Sequence, residues 1–341
     1  MTRERGFVLG LAAGMAAVAM GRQAARSRRR IDFEGRTVVI SGGSRGLGLV
    51  MARRLAAEGA RVCLLARDQA ELDRAQAELA RIGRGEAMAV ACDVRRRDEV
   101  RAAVSRVLER WHAVDVLINN AGVIQVGPLE HMSQEDFDNA MATHFAGPLF
   151  LMQEVLPSMR RRQFGRIVNV SSIGGRLAVP HLAPYCASKF ALAGLSDAVR
   201  AELDRYGIRV TSVSPGLMRT GSPRNAQFKG QHEAEYAWFA ISDSLPGLTT
   251  SAEQAARQIL EACRYGDPEL TITLVTKLAI LANAIAPAWV AQATMLGARL
   301  LPGPAGPNGD QLKRGHESES RWAPSLATAL SERAAMANNE V

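Results

Sequence analysis

The chain has 341 residues, of which 47% are hydrophobic, 22% charged and 5% aromatic, and its formal net charge is +8. The charge is uneven, because the first 30 residues contain seven arginines and one glutamate, which leaves a net charge of only +2 for the rest. This distribution excludes a strongly basic nucleic-acid-binding domain. The length suits one α/β domain of about 240 residues with an extension at each end.

The first extension, residues 1–30, contains an uncharged apolar segment, residues 6–21, between basic residues. Its 16 residues are fewer than the roughly 20 of a transmembrane helix, although Gly6, Gly10 and Gly14 would give a helix a flat face. Three interpretations stay open: a membrane anchor, a cleaved secretory signal, or a poorly ordered extension. The arginines that follow favour a cytoplasmic catalytic domain, free or anchored to the cytoplasmic face of a membrane.

The first strand, turn and helix of the domain form a dinucleotide-binding pattern. Residues Arg36–Ser41 predict a strand, a glycine-rich turn follows, and Leu49–Glu58 predicts a helix. Glycines let the backbone approach a pyrophosphate, whose charge then lies at a helix N-terminus. The predicted cofactor-binding residues of this turn are Gly42, Ser44, Arg45, Gly46, Leu47 and Gly48.

The end of the next strand, Arg61–Ala66, favours NADP(H) over NAD(H). Proteins that bind NAD usually place a carboxylate there for the ribose 2′-hydroxyl, whereas this chain has Ala66 followed by Arg67. With Arg45 in the turn, two guanidinium groups suit a 2′-phosphate. In the alternative interpretation Arg67 starts a solvated loop and Asp68 binds the ribose.

Short apolar strands continue to alternate with helices along the chain. This order predicts an α/β fold, a doubly wound Rossmann-type parallel sheet of about seven strands with helices on both faces. The further strands are predicted at Ala87–Ala91, Val114–Ile118, Arg166–Ser171, Arg209–Val213 and Leu270–Val275. The further helices are predicted at Asp68–Ile82, Arg96–Trp111, Gln134–Arg162, Pro184–Tyr206 and Ala252–Tyr265.

The catalytic candidates are Ser172, Tyr185 and Lys189. The tyrosine and the lysine are four residues apart and therefore lie on one helical face. A nearby ammonium lowers the pKa of a tyrosine from its usual value of about 10, so the hydroxyl could protonate a carbonyl oxygen. A serine hydroxyl could hold that oxygen. These residue types predict carbonyl reduction or alcohol oxidation beside a hydride carrier.

Taken together, these motifs resemble the short-chain dehydrogenase/reductase family over roughly Asp32 to Leu274. The resemblance implies that Ser172, rather than Ser171, is catalytic, and that Tyr185 and Lys189 also contact the nicotinamide ribose. It implies a small-molecule carbonyl or alcohol substrate and a homo-oligomer. The further cofactor contacts that it implies are Asp93 and Val94 at the adenine, Asn119, Ala121 and Gly122 of an Asn-Asn-Ala-Gly motif, and Pro215, Gly216 and Thr220 near the nicotinamide.

One position departs from the family pattern. His144 stands where many members have an asparagine that helps a proton relay to solvent. In one interpretation His144 joins the relay, because its unperturbed pKa is near 6.5. In the other, a backbone carbonyl takes that role and His144 is a packing residue with satisfied hydrogen bonds.

The substrate side and the C-terminal extensions leave further alternatives open. Residues Gly216–Ser251 are predicted to form a lid whose aromatic side chains suit a lipophilic substrate or ordinary packing. Residues 276–301 form an apolar helical extension that covers a substrate pocket, rests on a membrane surface, or packs on the domain or a second subunit. Residues 302–341 are predicted to be a linker and a mobile polar tail, after a catalytic domain at 31–275.

Two further alternatives concern function and the cysteines. The domain could be a dinucleotide-binding sensor or scaffold without turnover, although a pure binder has no need of the Ser172, Tyr185 and Lys189 set. The cysteines have no metal-binding spacing, so no metal site is predicted. Cys186, next to the catalytic tyrosine, is either a modifiable thiol or a small packing residue.

Overall fold

The computed structural model describes residue 18 and residues 20–245, 247–325 and 328–340. Most of the apolar segment 6–21 lies outside these residues, so the three hypotheses about it stay predictions. Residues 20–28 are helical, and the Arg26 guanidinium contacts the Asp267 carboxylate at 2.8 Å. Within the described ranges, every helix is too short or too polar to cross a bilayer.

The described residues form strands and helices that alternate along the chain. The strands are β1 (Thr37–Ser41), β2 (Arg61–Ala66), β3 (Ala87–Ala91), β4 (Val116–Asn119), β5 (Gln125–Val126), β6 (Gly165–Val170), β7 (Ile208–Ser214), β8 (Met218–Arg219), β9 (Gln227–Phe228), β10 (Thr250–Ser251), β11 (Glu269–Thr271) and β12 (Lys313–Arg314). The helices are α1 (Gly46–Ala57), α2 (Gln69–Ile82), α3 (Arg97–Trp111), α4 (Gln134–Met141), α5 (Gly147–Arg162), α6 (Ala183–Asp204), α7 (His232–Ser242), α8 (Ala252–Tyr265), α9 (Leu274–Ile285), α10 (Pro287–Ala298) and α11 (Ala329–Ala337).

Seven of these strands form one parallel sheet in the order β11-β7-β6-β4-β1-β2-β3. The predicted doubly wound Rossmann-type sheet is therefore confirmed. The chain winds in opposite directions from β1, which pairs with β2 on one side and with β4 on the other. In open α/β sheets, ligands bind at the carboxyl ends of the strands where the winding reverses. The ends of β1 and β4 therefore define the expected ligand crevice.

Helices cover both faces of the sheet, which explains its uninterrupted apolar strands. Successive side chains of a strand point to opposite faces. In β1, Val38 and Ile40 pack in the cluster that includes α1, α2 and α8, whereas Val39 packs in the cluster that includes α3, α5 and α6. Both clusters are buried, so the sheet is a rigid platform for residues at its carboxyl edge.

Beyond small shifts of element ends, two differences from the predicted elements bear on the site. The predicted helix Gln134–Arg162 contains a π-helical segment, Ala142–Ala146, between α4 and α5. The last strand ends at Thr271 instead of continuing to residue 275. The reason is local: Thr273 has a left-handed φ of 73°, and its side chain accepts a hydrogen bond from the Thr276 amide and caps α9.

The C-terminal residues divide into an exposed helix pair and a tail that folds back. Helices α9 and α10 expose large apolar side chains, with Ile285 and Trp289 about three-quarters accessible, at 74% and 75%. The tail was expected to be mobile, but β12 pairs with β9, and Asn338 is fully buried after α11. All four cysteines are buried free thiols.

The packing of α1 against the glycine turn gives a stability prediction. A Cβ at Gly48 would overlap the carbonyl oxygen of Gly42, whereas a Cβ at Gly194 in α6 would meet open space. We expect Gly48→Ala to lower the free energy of unfolding by roughly 1–3 kcal/mol through overpacking. The matched control Gly194→Ala should raise it by about 0.5–1 kcal/mol because alanine favours a helix. Urea denaturation measures both, and equal shifts would contradict this account.

Candidate active site

The crevice is organised by hydrogen bonds between the carboxyl ends of β1 and β4. The Ser41 hydroxyl oxygen accepts bonds from the backbone amides of Asn120 and Ala121, both at 3.1 Å. The Asn120 side chain donates to the carbonyl of Gly42 at 3.0 Å. These bonds hold the glycine turn against the Asn-Asn-Ala-Gly segment. Asn120 was absent from the predicted site residues, although the motif that contains it was noted.

The glycine turn presents bare backbone to the crevice. Gly42 and Gly46 have left-handed φ values of 64° and 55°, which glycine adopts without strain. A Cβ at Gly42 would lie 2.8 Å from the Cα of Ala121, so a larger residue is sterically excluded. Gly46 begins α1, whose N-terminus favours negative charge. The residues present therefore fit the pyrophosphate of a dinucleotide.

The polar groups at the end of β2 surround the expected ribose position. The Arg45 guanidinium contacts the Glu71 carboxylate at 2.8 Å, and Arg67 is exposed. The Asp68 side chain accepts a hydrogen bond from the Glu71 amide at 2.8 Å and caps α2. Asp68 therefore has a structural role in this conformation, which weakens the alternative that it binds the ribose.

The two predicted adenine contacts lie just after β3. The Asp93 carboxylate accepts bonds from the Arg95 guanidinium, with Arg95 Nε at 2.9 Å from one oxygen. Partial burial opposes ionisation of Asp93, but the bonds from Arg95 outweigh it and lower its pKa below the usual value. Val94 is buried and packs against Gly147 at the start of α5.

The three catalytic candidates come together at the carboxyl edge of β6. The Lys189 ammonium nitrogen lies 2.9 Å from the Val170 carbonyl oxygen at the end of β6 and 5.6 Å from the centroid of the Tyr185 ring. Ser172 is near enough to the Tyr185 hydroxyl to lower its pKa, and its own hydroxyl oxygen accepts a bond from the Gly174 amide at 3.0 Å. By contrast, the Ser171 hydroxyl donates to the Lys189 carbonyl at 2.9 Å. The structure thus gives Ser172 and Ser171 different partners, with Ser172 at the tyrosine.

Burial controls the ionisation of this site. It raises the pKa of Tyr185 to about 12, although the hydrogen bond from Ser172 opposes the change. It also lowers the pKa of Lys189 to about 7. The sequence predicted a lowered tyrosine pKa from the neighbouring ammonium, whereas the largest influence on Tyr185 is desolvation, which raises the pKa. Tyr185 is consequently protonated at neutral pH.

His144 lies in the π-helical segment and contacts the catalytic helix. Its Nδ1 is 2.7 Å from the Ser188 hydroxyl, and its Nε2 accepts a bond from the Val123 amide at 3.1 Å. Because Nε2 accepts, the ring proton is assigned to Nδ1. Burial, and then the charge of Lys189, lower its pKa well below 6.5. His144 is therefore neutral with both ring nitrogens engaged, an arrangement expected of the packing interpretation.

The predicted nicotinamide segment follows β7 and touches the start of α9. The Pro215 carbonyl accepts a bond from the Ile173 amide at 2.7 Å, just beyond Ser172. Gly216 lies against the Thr276 hydroxyl, where a Cβ would overlap it. The Thr220 hydroxyl lies 3.0 Å from that of Ser222. The segment is thereby fixed between Ser172 and the C-terminal helix pair.

The lid aromatics pack on one another. Phe228 and Tyr236 are fully buried and meet edge-on, with ring centroids 5.5 Å apart. Phe239 joins the same cluster, which also contains Val126 and Cys186. These contacts favour the packing interpretation for the buried aromatics. Four partly accessible side chains pack against this cluster: Ile124, Val179, Tyr185 and Trp238.

Comparisons of the sequence and the structure with known proteins point to one family. The sequence profile of the family described as short chain dehydrogenase matches residues 36–229. The protein named dehydrogenase/reductase SDR family member 7B of Danio rerio is 38% identical over 244 residues, which cover 70% of this chain and 77% of the relative. The crystal structure of levodione reductase superposes with a TM-score of 0.60 at 27% identity, covering 70% of this chain and 96% of that one.

A second solved structure, a metagenomic short-chain oxidoreductase in complex with NADP, is 38% identical with a TM-score of 0.52 and covers 55% of this chain and 84% of its own. The chain belongs to the short-chain dehydrogenase/reductase family, as its sequence motifs predicted. Members are NAD(P)-dependent oxidoreductases, and the residues of the crevice fit such a cofactor.

The neutral His144 gives a pH-dependent stability prediction. Its pKa in the folded state lies well below 6.5, so below pH 6.5 the unfolded chain binds a proton that the folded chain does not. Stability should fall as the pH decreases through this window, by up to about 1.4 kcal/mol per pH unit. We expect His144→Asn to reduce this slope in urea denaturation, while the control His316→Asn, at an exposed position, retains it. Identical slopes in all three proteins would contradict the buried neutral histidine.

Proposed function

We propose that the protein transfers a hydride between NADP(H) and a carbonyl or secondary alcohol. The observation that carries the proposal is the convergence of Ser172, Tyr185 and Lys189 on the crevice that begins at the glycine turn. A carbonyl substrate there would meet a proton donor and a hydrogen-bond donor at once. The nicotinamide cofactor, when bound, supplies the hydride.

Each catalytic side chain has a separate role in this proposal. In the reductive direction the hydride adds to the carbonyl carbon, and Tyr185 gives its hydroxyl proton to the oxygen that becomes an alkoxide. Ser172 donates a hydrogen bond to that oxygen, and Lys189 holds the cofactor ribose. Proton transfer and oxyanion stabilisation each contribute a factor on the order of 10² or more. A tyrosine with a pKa of about 12 carries its proton at neutral pH, which suits reduction.

The preference for NADP(H) rests on charge at the end of β2. Ala66 leaves the ribose without the usual carboxylate partner, while Arg45 in the turn and Arg67 after β2 offer guanidinium groups to a 2′-phosphate. A 2′-phosphate would compete with Glu71 for the Arg45 guanidinium, which would then bind a doubly charged group. The 38% identical relative in complex with NADP supports the same assignment.

The proposed substrate is lipophilic, of the ketoacyl, steroid-like or aromatic type. The wall near Tyr185 includes the partly accessible apolar side chains of Ile124, Val179 and Trp238. Helix α9 contacts Gly216 through Thr276, and both α9 and α10 expose apolar side chains, so a lipophilic molecule could approach along them. Residues 6–21 and these helices suit membrane association of a cytoplasmic enzyme, and the family resemblance suits a homo-oligomer.

Replacement of the catalytic tyrosine tests the reaction. We expect Tyr185→Phe to reduce kcat by at least about 10² with a panel of ketones, because the proton donor is lost. NADPH should still bind, as measured by its fluorescence. The control Tyr206→Phe, which changes the tyrosine just beyond the end of α6, should retain activity. Activity that survives Tyr185→Phe would refute the assignment, and a wild-type protein that binds NADPH but reduces no ketone would favour the sensor alternative.

A charge reversal tests the cofactor preference. We expect Arg67→Asp to lower the ratio of kcat/KM for NADPH over NADH by at least about tenfold, since a hydrogen bond to a charged group contributes about 1.5–3 kcal/mol. The control Arg257→Asp makes the same charge change at an exposed position on α8. An unchanged ratio in Arg67→Asp would place the 2′-phosphate elsewhere.

A further inference from the structure

Residues 338–340 of the tail lie on the glycine turn. The Gly46 amide, the first of α1, donates a hydrogen bond to the Asn338 carbonyl at 2.8 Å. The Asn339 side chain donates to the Ser44 carbonyl at 2.9 Å. Two backbone groups of the proposed pyrophosphate site are thus bonded to the tail of the same chain.

Glu340 adds a carboxyl group at the same place, and burial raises its pKa to about 7. Its carboxylate lies against Gly46, is 3.4 Å from the Arg45 guanidinium, and accepts a bond of 2.6 Å from Asn225. The Glu340 side chain is only 6% exposed. A carboxylate at the N-terminus of α1 stands where the helix dipole and free amides favour a phosphate.

Contacts on both sides of the crevice hold the tail there. On the sheet side, the Arg53 guanidinium donates to the Ala337 carbonyl at 2.9 Å and to the Asn338 side chain at 3.1 Å. The Arg74 guanidinium donates to the Asn339 side chain at 2.8 Å. On the lid side, Ala335 packs directly on Gly221, where a Cβ would overlap it.

We propose that residues 338–340 and the dinucleotide pyrophosphate compete for the glycine turn, so that the tail inhibits cofactor binding in its own chain. This inference rests on the proposed dinucleotide site. The Gly46 amide has one hydrogen to donate, and the Glu340 carboxylate covers the glycine surface that the phosphates need to approach. An ionised Glu340 carboxylate would also repel the phosphates of a bound dinucleotide.

The alternative is a tail that closes over a bound cofactor and strengthens its binding. Direct contact between Glu340 and Gly46 favours competition. A tail that closed over a bound cofactor would contact the outer side of the cofactor, and the cofactor would separate it from the backbone of the glycine turn. The two arrangements predict opposite changes in affinity when the tail is removed.

NADPH binding to the full chain and to tail variants tests the proposal without relying on turnover. We expect a protein that ends at Thr328 to bind NADPH about tenfold more tightly, as it would if the tail covers the turn about nine-tenths of the time. Asn339→Ala and Glu340→Gln should each lower Kd in the same direction, which keeps the test valid if the truncated protein is unstable. The control Met336→Ala, at a side chain of α11 that is 70% exposed, should leave Kd unchanged.

Hydrogen exchange gives a second measurement on the full chain. NADPH should increase amide exchange in residues 329–340 while it protects the glycine turn. An equal or higher Kd in the truncated protein and both point variants, or a tail that stays protected when NADPH is bound, would overturn the competition. If neither the full nor the truncated chain binds NADPH or NADH, the dinucleotide assignment fails and the tail proposal fails with it.

Discussion

A chain of side-chain hydrogen bonds connects the glycine turn to α6, the helix that carries Tyr185 and Lys189. The geometry of the site depends on this chain of bonds. Asn120 and Ser41 fix the glycine turn to the end of β4. The neighbouring Asn119 donates to Asn169 on β6 at 2.7 Å, and Asn169 donates to Ser196 on α6 at 2.8 Å. Hydrogen bonds of this kind are stronger in the low-dielectric interior than in water, so they hold the turn and the helix in one arrangement. The glycine turn and the helix that carries Tyr185 are therefore held in a fixed relation to each other.

The ionisable groups around this network have pKa values that are shifted toward their neutral forms. Burial pushes the pKa of Tyr185 up, that of Lys189 down to about 7, and that of His144 well below its usual value. Each shift favours the uncharged species, because removing a charge from water is costly.

The features predicted correctly from the sequence depend on local patterns. The apolar run before Gly42 and the spacing of Tyr185 and Lys189 involve neighbouring residues, and both gave the correct elements. The last strand was predicted too long because Thr273 adopts a positive φ and caps α9 there. The pattern of apolar residues does not reveal this change of backbone conformation. The tyrosine pKa was predicted in the wrong direction, because spacing gives proximity but does not reveal how much water the fold removes.

The tail was beyond such reasoning for a different reason. Asn339 bonds to Ser44, 295 residues earlier in the chain, and residues 338–340 have no periodicity or motif that indicates this destination. Polar residues near a terminus are usually solvated, and only the folded lid and turn together create a surface for them. Long-range contacts of this kind become visible once the tertiary structure is known.

The burial of the four cysteines has a practical chemical consequence. Desolvation raises the pKa of the Cys63, Cys92 and Cys263 thiols to about 12 and raises that of Cys186 as well. Alkylating reagents and peroxides attack the thiolate, which is scarce at neutral pH when the thiol pKa is this high. Cys186 accordingly has the properties of a packing residue despite its place beside Tyr185. The rate of thiol alkylation would therefore measure how often unfolding exposes these buried cysteines.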